Sequence, residues 1–265
     1  GNFGSISDLD ERGGGYGYIE VTDSGEEYFE RITDFTIDVE SFLKKDGDRM
    51  IDMQIVPGTG EEPYDVTVPA KVFNDPRRFR DNVVIGLTTT YDGTPSDLNE
   101  LRKKVGGQDA PIRQGTHHMG LHPEQEEFVT PNGVLTADGW VDDPNIAYIE
   151  REITAERSCV LDPDRHSDYD AADVADMLEL LPQTRNAERF LPVLGWMYTA
   201  PLRPFIQQWQ SQFNTLHVTG ETGAGKSSTL SVLWQLLGMD GDPMACDDTK
   251  FALTTTMASS RSIPM

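Results

Sequence analysis

The stretch from Gly220 to Ser228 reads GETGAGKSS and constrains this chain more than any other, because it fits the phosphate-binding loop pattern of Gly, any four residues, Gly, Lys, Ser or Thr. Such a loop needs a strand before it and a helix after it. Thr215 to Thr219 is a β-branched and apolar run that predicts the strand, and Thr229 to Leu237 predicts the helix. Gly220, Gly223 and Gly225 let backbone N–H groups turn inward around phosphate oxygens, in conformations that a Cβ obstructs. The helix N-terminus adds partial positive charge. Glu221, Thr222 and Ala224 fill the variable positions, and Lys226 is the residue type that bridges terminal phosphates. Ser227 is placed to offer its hydroxyl to Mg²⁺, with Ser228 the less favoured ligand. The competing reading is a Gly-rich turn ahead of a core helix.

Charge narrows the setting. The 265 residues carry 45 Asp plus Glu against 22 Lys plus Arg, a formal net charge of −23, yet 37% are hydrophobic, enough to build a core. The acidity is spread along the whole chain and only seven of the basic residues are Lys, a pattern that fits surface adaptation to high salt. Cys159 and Cys246 stand far apart with no CxxC neighbour, so neither a zinc site nor a disulfide framework is indicated and a cytoplasmic setting is expected. No apolar run is long enough to span a membrane. The first residue is Gly and the last are Ile263-Pro264-Met265, which reads as a piece of a longer protein.

Residues 1–15 are rich in Gly, Ser and Asp and predict a linker. An α+β domain is expected over 16–155. Its antiparallel strands are predicted at Tyr16–Val21, Tyr28–Ile32, Phe35–Val39, Met50–Val56 and Tyr64–Val68, with turns at Asp23-Ser24-Gly25 and Asp46-Gly47-Asp48. Helices are expected after Asp75-Pro76 and after Thr94-Pro95-Ser96-Asp97, the latter ending at Gly106. Thr116–Leu121 and Glu127–Thr130 predict further strands around a Pro131-Asn132-Gly133 turn.

His117, His118 and His122, with Glu124 nearby, offer metal-ligating side chains, but neighbours on a strand point to opposite faces, so hydrogen-bonded or surface histidines are the preferred reading. Three basic groups, Lys44-Lys45, Arg77-Arg78 with Arg80, and Arg102-Lys103-Lys104, either track a nucleic-acid backbone or pair with local acids, and the second reading is preferred.

The polar, acidic segment from Asp142 to Asp170 predicts the domain junction. A helical spacer is expected over 165–212. Val174, Met177, Leu178 and Leu181 recur at helical spacing within Asp170–Leu181, as do Phe190, Leu191, Leu194 and Met197 within Ala187–Thr199, and both stripes predict core faces. Leu202-Arg203-Pro204 ends or kinks the second helix, and Phe205–Phe213 predicts another short amphipathic one. The core begun by the phosphate-binding loop is expected over 213–265, with Gly238 ending its helix. Met244-Ala245-Cys246-Asp247-Asp248 has the outline of a Walker B strand, with Asp247 and Asp248 as candidate catalytic acids, although its place directly after the loop helix favours the second strand of the sheet. Lys250–Ser259 predicts a helix, and Ser262–Met265 the opening of a strand.

The blocks FLPVLGWMYTAPLRPFI, HVTGETGAGKSSTLSVLWQLLG and TKFALTTTMASSRSIPM resemble the ATPase part of plasmid and phage replication proteins of the primase-helicase type, at or near the superfamily 3 helicases. The resemblance covers Phe190 to Met265. It implies the start of an α/β P-loop NTPase core of RecA/AAA-like type, with ATP and Mg²⁺ as cofactors, DNA as partner and a possible homo-oligomeric ring. It also implies that the catalytic Asp-Glu follows Met265, so that this stretch alone binds nucleotide weakly and does not hydrolyse it. The loop letters are also similar to those of DEAH-type RNA helicases, but the Arg-containing segment of that group is not found between Gly238 and Met265. A nucleotide switch without translocation and a small-molecule kinase are the remaining alternatives.

Overall fold

The computed structural model describes residues 8–151, 153–164, 171–240 and 249–263. It is a mixed α/β structure with antiparallel and mixed sheets, divided into two compact units, Gly1–Gln114 and Gly115–Met265. The division falls before the histidine-bearing strands, earlier than the acidic segment 142–170.

In the first unit, β1 (Asp10–Arg12), β2 (Gly15–Val21) and β3 (Glu27–Arg31) form a small antiparallel sheet. The linker expected over 1–15 is therefore corrected from residue 8 onward. Gly13 and Gly14 take φ of 59° and 75°, the left-handed pair that a tight hairpin turn requires, and Asp10 pairs with Gly17 across it. Residues 1–7 lie outside the described residues.

The main sheet contains β4 (Phe35–Lys45), β5 (Asp48–Pro57), β6 (Tyr64–Pro69) and β7 (Ile112–Thr116), in the order β7-β4-β5-β6. β4 and β5 form a long hairpin closed by Asp46 and Gly47, with φ of 49° and 87°. The β4–β7 pairing is parallel, which makes the sheet mixed. Phe35 and Ile37 of β4, Met53 and Ile55 of β5, and Val66 and Val68 of β6 alternate onto one buried face.

Two helices close the core of this unit. α1 (Pro76–Val83) starts where Asp75 Oδ1 accepts from the backbone N–H of Arg77 at 2.8 Å, and α2 (Pro95–Gly106) starts at a reciprocal Thr94–Asp97 capping box. They contribute Phe79, Val83, Leu98, Leu101 and Val105 to the core. Phe79 is fully buried at the centre of an aromatic group, with ring centroids 5.1 Å from Phe73, 5.1 Å from Tyr91 and 6.5 Å from Phe35.

In the second unit, β8 (Gly120–His122), β9 (Glu127–Thr130), β10 (Gly133–Thr136) and β11 (Gly139–Trp140) make an antiparallel meander. The single strand expected over Thr116–Leu121 is in fact interrupted between β7 and β8, where His117 Nδ1 donates to the Ile149 carbonyl and the His118 backbone N–H donates to Thr116 Oγ1. β12 (Ile146–Tyr148) and α3 (Thr154–Ser158) follow. Two buried carboxylates organise this part. Glu127 accepts from Asn145 N, Asn145 Nδ2 and Ile146 N at 2.7–3.0 Å. Glu156 accepts from the Tyr148 hydroxyl at 2.6 Å and from the backbone N–H groups of Arg151 and Ile153.

The helices are α4 (Ala171–Leu180), α5 (Ala187–Thr199), α6 (Arg203–Gln210), α7 (Lys226–Leu236) and α8 (Lys250–Ala258). Phe190, Leu194 and Met197 of α5 pack with Leu233 of α7, as their spacing predicts. Two predicted core stripes need correction. Met177 and Leu178 of α4 are exposed, as is Leu191 of α5, since no element covers those faces among the described residues. Val174 lies where no side chain is described. The strand expected at Thr215–Thr219 is also absent. Leu216 and Val218 are half-buried between exposed neighbours, so the strand-like alternation is present, but no partner strand pairs with it among the described residues, and a strand exists only as part of a ladder. Ser262 and Ile263 form a bend instead of the opening of a strand, with the Ser260 hydroxyl bridging to Ile263.

Substitutions at Phe79, Leu233 and Trp234, with Tyr28 as the exposed control, test these cores by equilibrium urea unfolding. Phe79→Ala is expected to cost about 3–5 kcal/mol, against under about 1 kcal/mol for a change at exposed Tyr28. Trp234 is buried with no acceptor for its Nε1 among the described residues. Trp234→Phe removes that N–H and is expected to cost less than Leu233→Ala, which should cost about 2–5 kcal/mol; the reverse order would show that the indole N–H is satisfied in solution.

Candidate nucleotide-binding site

The loop Gly220–Ser228 is exposed at the start of α7. Gly223 and Gly225 have φ of 82° and 76°, and Gly225 is the residue immediately before the helix. Of these two left-handed positions, Gly225 is one that the motif reserves for glycine, while Gly223 falls among its variable residues. Lys226 curls back over the loop, its Nζ donating to the carbonyls of Gly220 at 2.7 Å and Glu221 at 2.8 Å. The ammonium therefore sits over the loop, and the carbonyls that hold it there can be exchanged for phosphate oxygens. Ser227 and Ser228 are exposed on the first turn of α7, with Ser227 free of any carbonyl partner among the described hydrogen bonds. Thr229 instead turns its hydroxyl back to the Gly225 carbonyl at 2.7 Å, which leaves the serines as the hydroxyls facing outward.

Packing fixes the loop from behind. Leu233 joins α7 to α5, and the start of α5 lies beside the start of α7: Arg185, Asn186, Arg189 and Phe190 line the same cavity as Ala224, Gly225 and Lys226. That cavity holds about 210 Å³ and its exposed lining is mostly apolar. Sequence reasoning did not single out Arg185 or Arg189, because neither belongs to the loop and only tertiary packing brings them to it. A cavity of about 240 Å³, lined by residues including Trp196, Arg203, Phe213, Asn214 and Met257, contains no residue of the loop, so its size does not make it the site of phosphate chemistry.

The residues present suit a magnesium nucleotide. Left-handed glycines, an ammonium over the loop and an exposed serine hydroxyl at the helix start are the donor set for phosphate and a hard cation. The helix that the motif needs after the loop is present, and the strand before it does not form among the described residues. Asp247 and Asp248, the candidate acids, lie outside the described residues, as does Cys246.

The histidines are engaged elsewhere. His117 Nδ1 donates to the Ile149 carbonyl at 2.7 Å, and His122 Nε2 donates to the His118 carbonyl at 3.0 Å. Among the described residues no group of three His, Cys, Asp or Glu side chains is placed to hold a metal ion. The basic residues of α1 and α2 in the first unit have local partners, most of them exposed. Arg77 faces Asp81, Arg78 faces Asp75 and Lys103 bonds Glu100, while Arg80 donates to the Tyr91 carbonyl and Lys104 to that of Leu9. These contacts stabilise helix ends and faces.

No protein-family model matches the chain, and no curated protein matches its sequence. Among the described residues no helix is long and apolar enough to cross a membrane.

Burial makes the histidine region pH-sensitive. Desolvation pushes the pKa of both His118 and His122 below 6.5, reinforced by the positive charge of Arg261 and, at His118, Arg151; the His118 carbonyl and Glu127 oppose the shift at His122. The folded state thus binds fewer protons than the unfolded state just below pH 6.5. The stability these neutral imidazoles contribute is full above the unfolded value and is lost as pH falls through the lower folded values. Melting temperature is expected to drop between about pH 7.5 and about pH 5, and His122→Gln should flatten that slope. An unchanged slope would assign the acid sensitivity to groups other than His122.

Proposed function

We propose that the chain binds ATP and Mg²⁺ at Gly220–Ser228 and is the nucleotide-binding part of a replicative DNA helicase or primase-helicase that couples ATP hydrolysis to DNA unwinding or remodelling in a plasmid or phage. The observation that carries the nucleotide reading is the geometry of the loop itself, with Gly223 and Gly225 in the left-handed region and Lys226 folded over the loop carbonyls. In this reading the backbone N–H groups of Glu221 to Lys226 cradle the phosphates, Lys226 bridges the terminal ones and Ser227 ligates Mg²⁺. Nucleotide brings the phosphoanhydride bond, while this chain's residues neutralise and orient the phosphates. The helicase assignment rests on the sequence blocks around the loop. The net charge of −23 fits a cytoplasm of high salt, and a ring of identical subunits is the assembly this class of motor uses.

A second reading, a nucleotide-dependent switch without translocation, is favoured by the state of the basic groups. Arg77 and Arg78 each face a local acid at 4.0 Å and Lys103 bonds Glu100 at 2.7 Å, so each has an alternative partner to a nucleic-acid backbone.

The first test is MgATP binding measured by titration calorimetry in molar KCl. Lys226→Ala is expected to weaken it at least about tenfold, the effect of losing one charge-assisted phosphate contact. Binding indifferent to Lys226 would remove the nucleotide reading. In a chain extended about one hundred residues past Met265, a typical allowance for completing a domain, turnover is expected to rise with single-stranded DNA and to vanish in Lys226→Ala. Turnover indifferent to DNA selects the switch. Turnover by residues 1–265 alone that vanishes in Asp247→Asn would make that residue the catalytic acid.

A further inference from the structure

Arg185 reaches the P-loop from outside the motif. A Cβ built on Gly225 would lie 2.8 Å from Arg185 Nη2, 3.2 Å from Nη1 and 3.3 Å from Cζ, so the planar guanidinium rests against the glycine that opens α7. A flexible side chain can yield to such a contact, so what requires glycine at 225 is its φ of 76°. Arg185 is exposed and makes no ion pair among the described residues, although Glu188 is three residues away in sequence. An uncommitted guanidinium at this place is notable in a chain with twice as many acidic as basic residues.

The placement follows from the packing of α5 on α7. Asn186 caps α5, its side chain accepting from Arg189 N at 3.3 Å, and Phe190 one turn further enters the apolar cluster around Leu233. The N-terminal ends of the two helices are thereby brought to one cavity. Both present the positive ends of their dipoles there, together with Lys226, Arg185 and Arg189. Behind these cations the cavity wall is apolar, formed by Phe190, Val193, Val218 and Leu230. At about 210 Å³ it is smaller than the roughly 300–1,000 Å³ of sites that enclose a whole drug-sized ligand, and it suits a planar base.

We infer that Arg185 is a phosphate-contacting residue of the nucleotide site, contributed by the segment before α5, and that the apolar cavity beside it seats the base. The inference rests on the P-loop reading above. A planar fork of N–H donors matches phosphate oxygens where an ammonium offers only a point charge, so Arg185 and Lys226 contribute distinct contacts to the phosphate chain. Arg189, four residues on, lines the cavity near the base.

The test is titration of residues 1–265 with MgADP and, separately, with magnesium pyrophosphate in molar KCl, for the wild type, Arg185→Ala, Val193→Trp and Lys226→Ala. Arg185→Ala is expected to weaken both ligands about tenfold. Val193→Trp, which fills the cavity, is expected to weaken MgADP and to leave pyrophosphate unchanged, and that unchanged binding also shows that the loop is folded. Arg185→Gln, which keeps the side-chain stem, repeats the measurement at an exposed position where the fold does not depend on the guanidinium. Wild-type affinity for both ligands in Arg185→Ala, with both lost in Lys226→Ala, would overturn the role of Arg185 and leave the P-loop reading standing. Loss of MgADP alone in Arg185→Ala would place the guanidinium on the nucleoside and overturn the phosphate contact. Binding that none of the variants alters would overturn the P-loop reading and this inference with it.

Discussion

Leu233 and Trp234 are neighbours on α7, about 100° apart around the helix axis, and each enters a different apolar cluster. Leu233 packs with Phe190, Leu194 and Met197 of α5, while Trp234 packs with Met119, Ala155, Cys159, Met239 and Ile263. This two-sided burial anchors the rest of the second unit. It packs the loop helix between the helical part and the strand-bearing part, while the loop before it stays largely exposed. An exposed Gly-rich loop is entropically costly to order, and burial of the residues that follow it offsets that cost. The anchoring also explains why the loop can keep two left-handed glycines in place with few contacts of its own.

The polar interior of the second unit works toward the same end. Glu127 and Glu156 are buried carboxylates, each surrounded by donors from a single short stretch of chain, Asn145–Ile146 for the first and Tyr148–Ile153 for the second. A buried carboxylate is tolerable only when its oxygens are matched by donors, so each one fixes the path of a segment that has little regular structure. They hold β12 and α3 against the meander, and α3 carries Ala155 and its neighbour Cys159 into the cluster that receives Trp234. Burial in that cluster also pushes the Cys159 thiol up from its ordinary pKa, which keeps it in the unreactive protonated form.

What could be read from the sequence was what local physics determines. The capping box Thr94–Asp97, the Pro at the start of α1, the Asp46-Gly47 hairpin and the extent of α5 depend on neighbours a few residues away, and the structure places them as expected. Composition misled where two glycines made a hairpin turn look like a linker, because a Gly-rich string is compatible with both and only the pairing of Asp10–Arg12 with β2 decides between them. Periodicity misled at α4, where Met177 and Leu178 have core spacing but meet no covering face among the described residues. At Thr215–Thr219 the alternation was right and the ladder was absent. Period and propensity describe one strand, whereas a sheet needs two.

The candidate site divides along the same line. Gly220 to Ser228 could be singled out as a candidate because the motif is contiguous and its chemistry fixes residue types at fixed spacing. Arg185 was not, since it lies 40 positions before Gly225 and nothing in its own neighbourhood marks it. The role proposed for it rests on the contact with Gly225, which in turn depends on α5 meeting α7 through Phe190 and Leu233. The apolar stripe on α5 therefore has a second consequence beyond filling a core: by setting which helix ends meet, it decides which cations stand beside the phosphate loop. Functional residues contributed through packing of this kind belong to the fold as much as to the motif, and a search limited to loop letters passes over them.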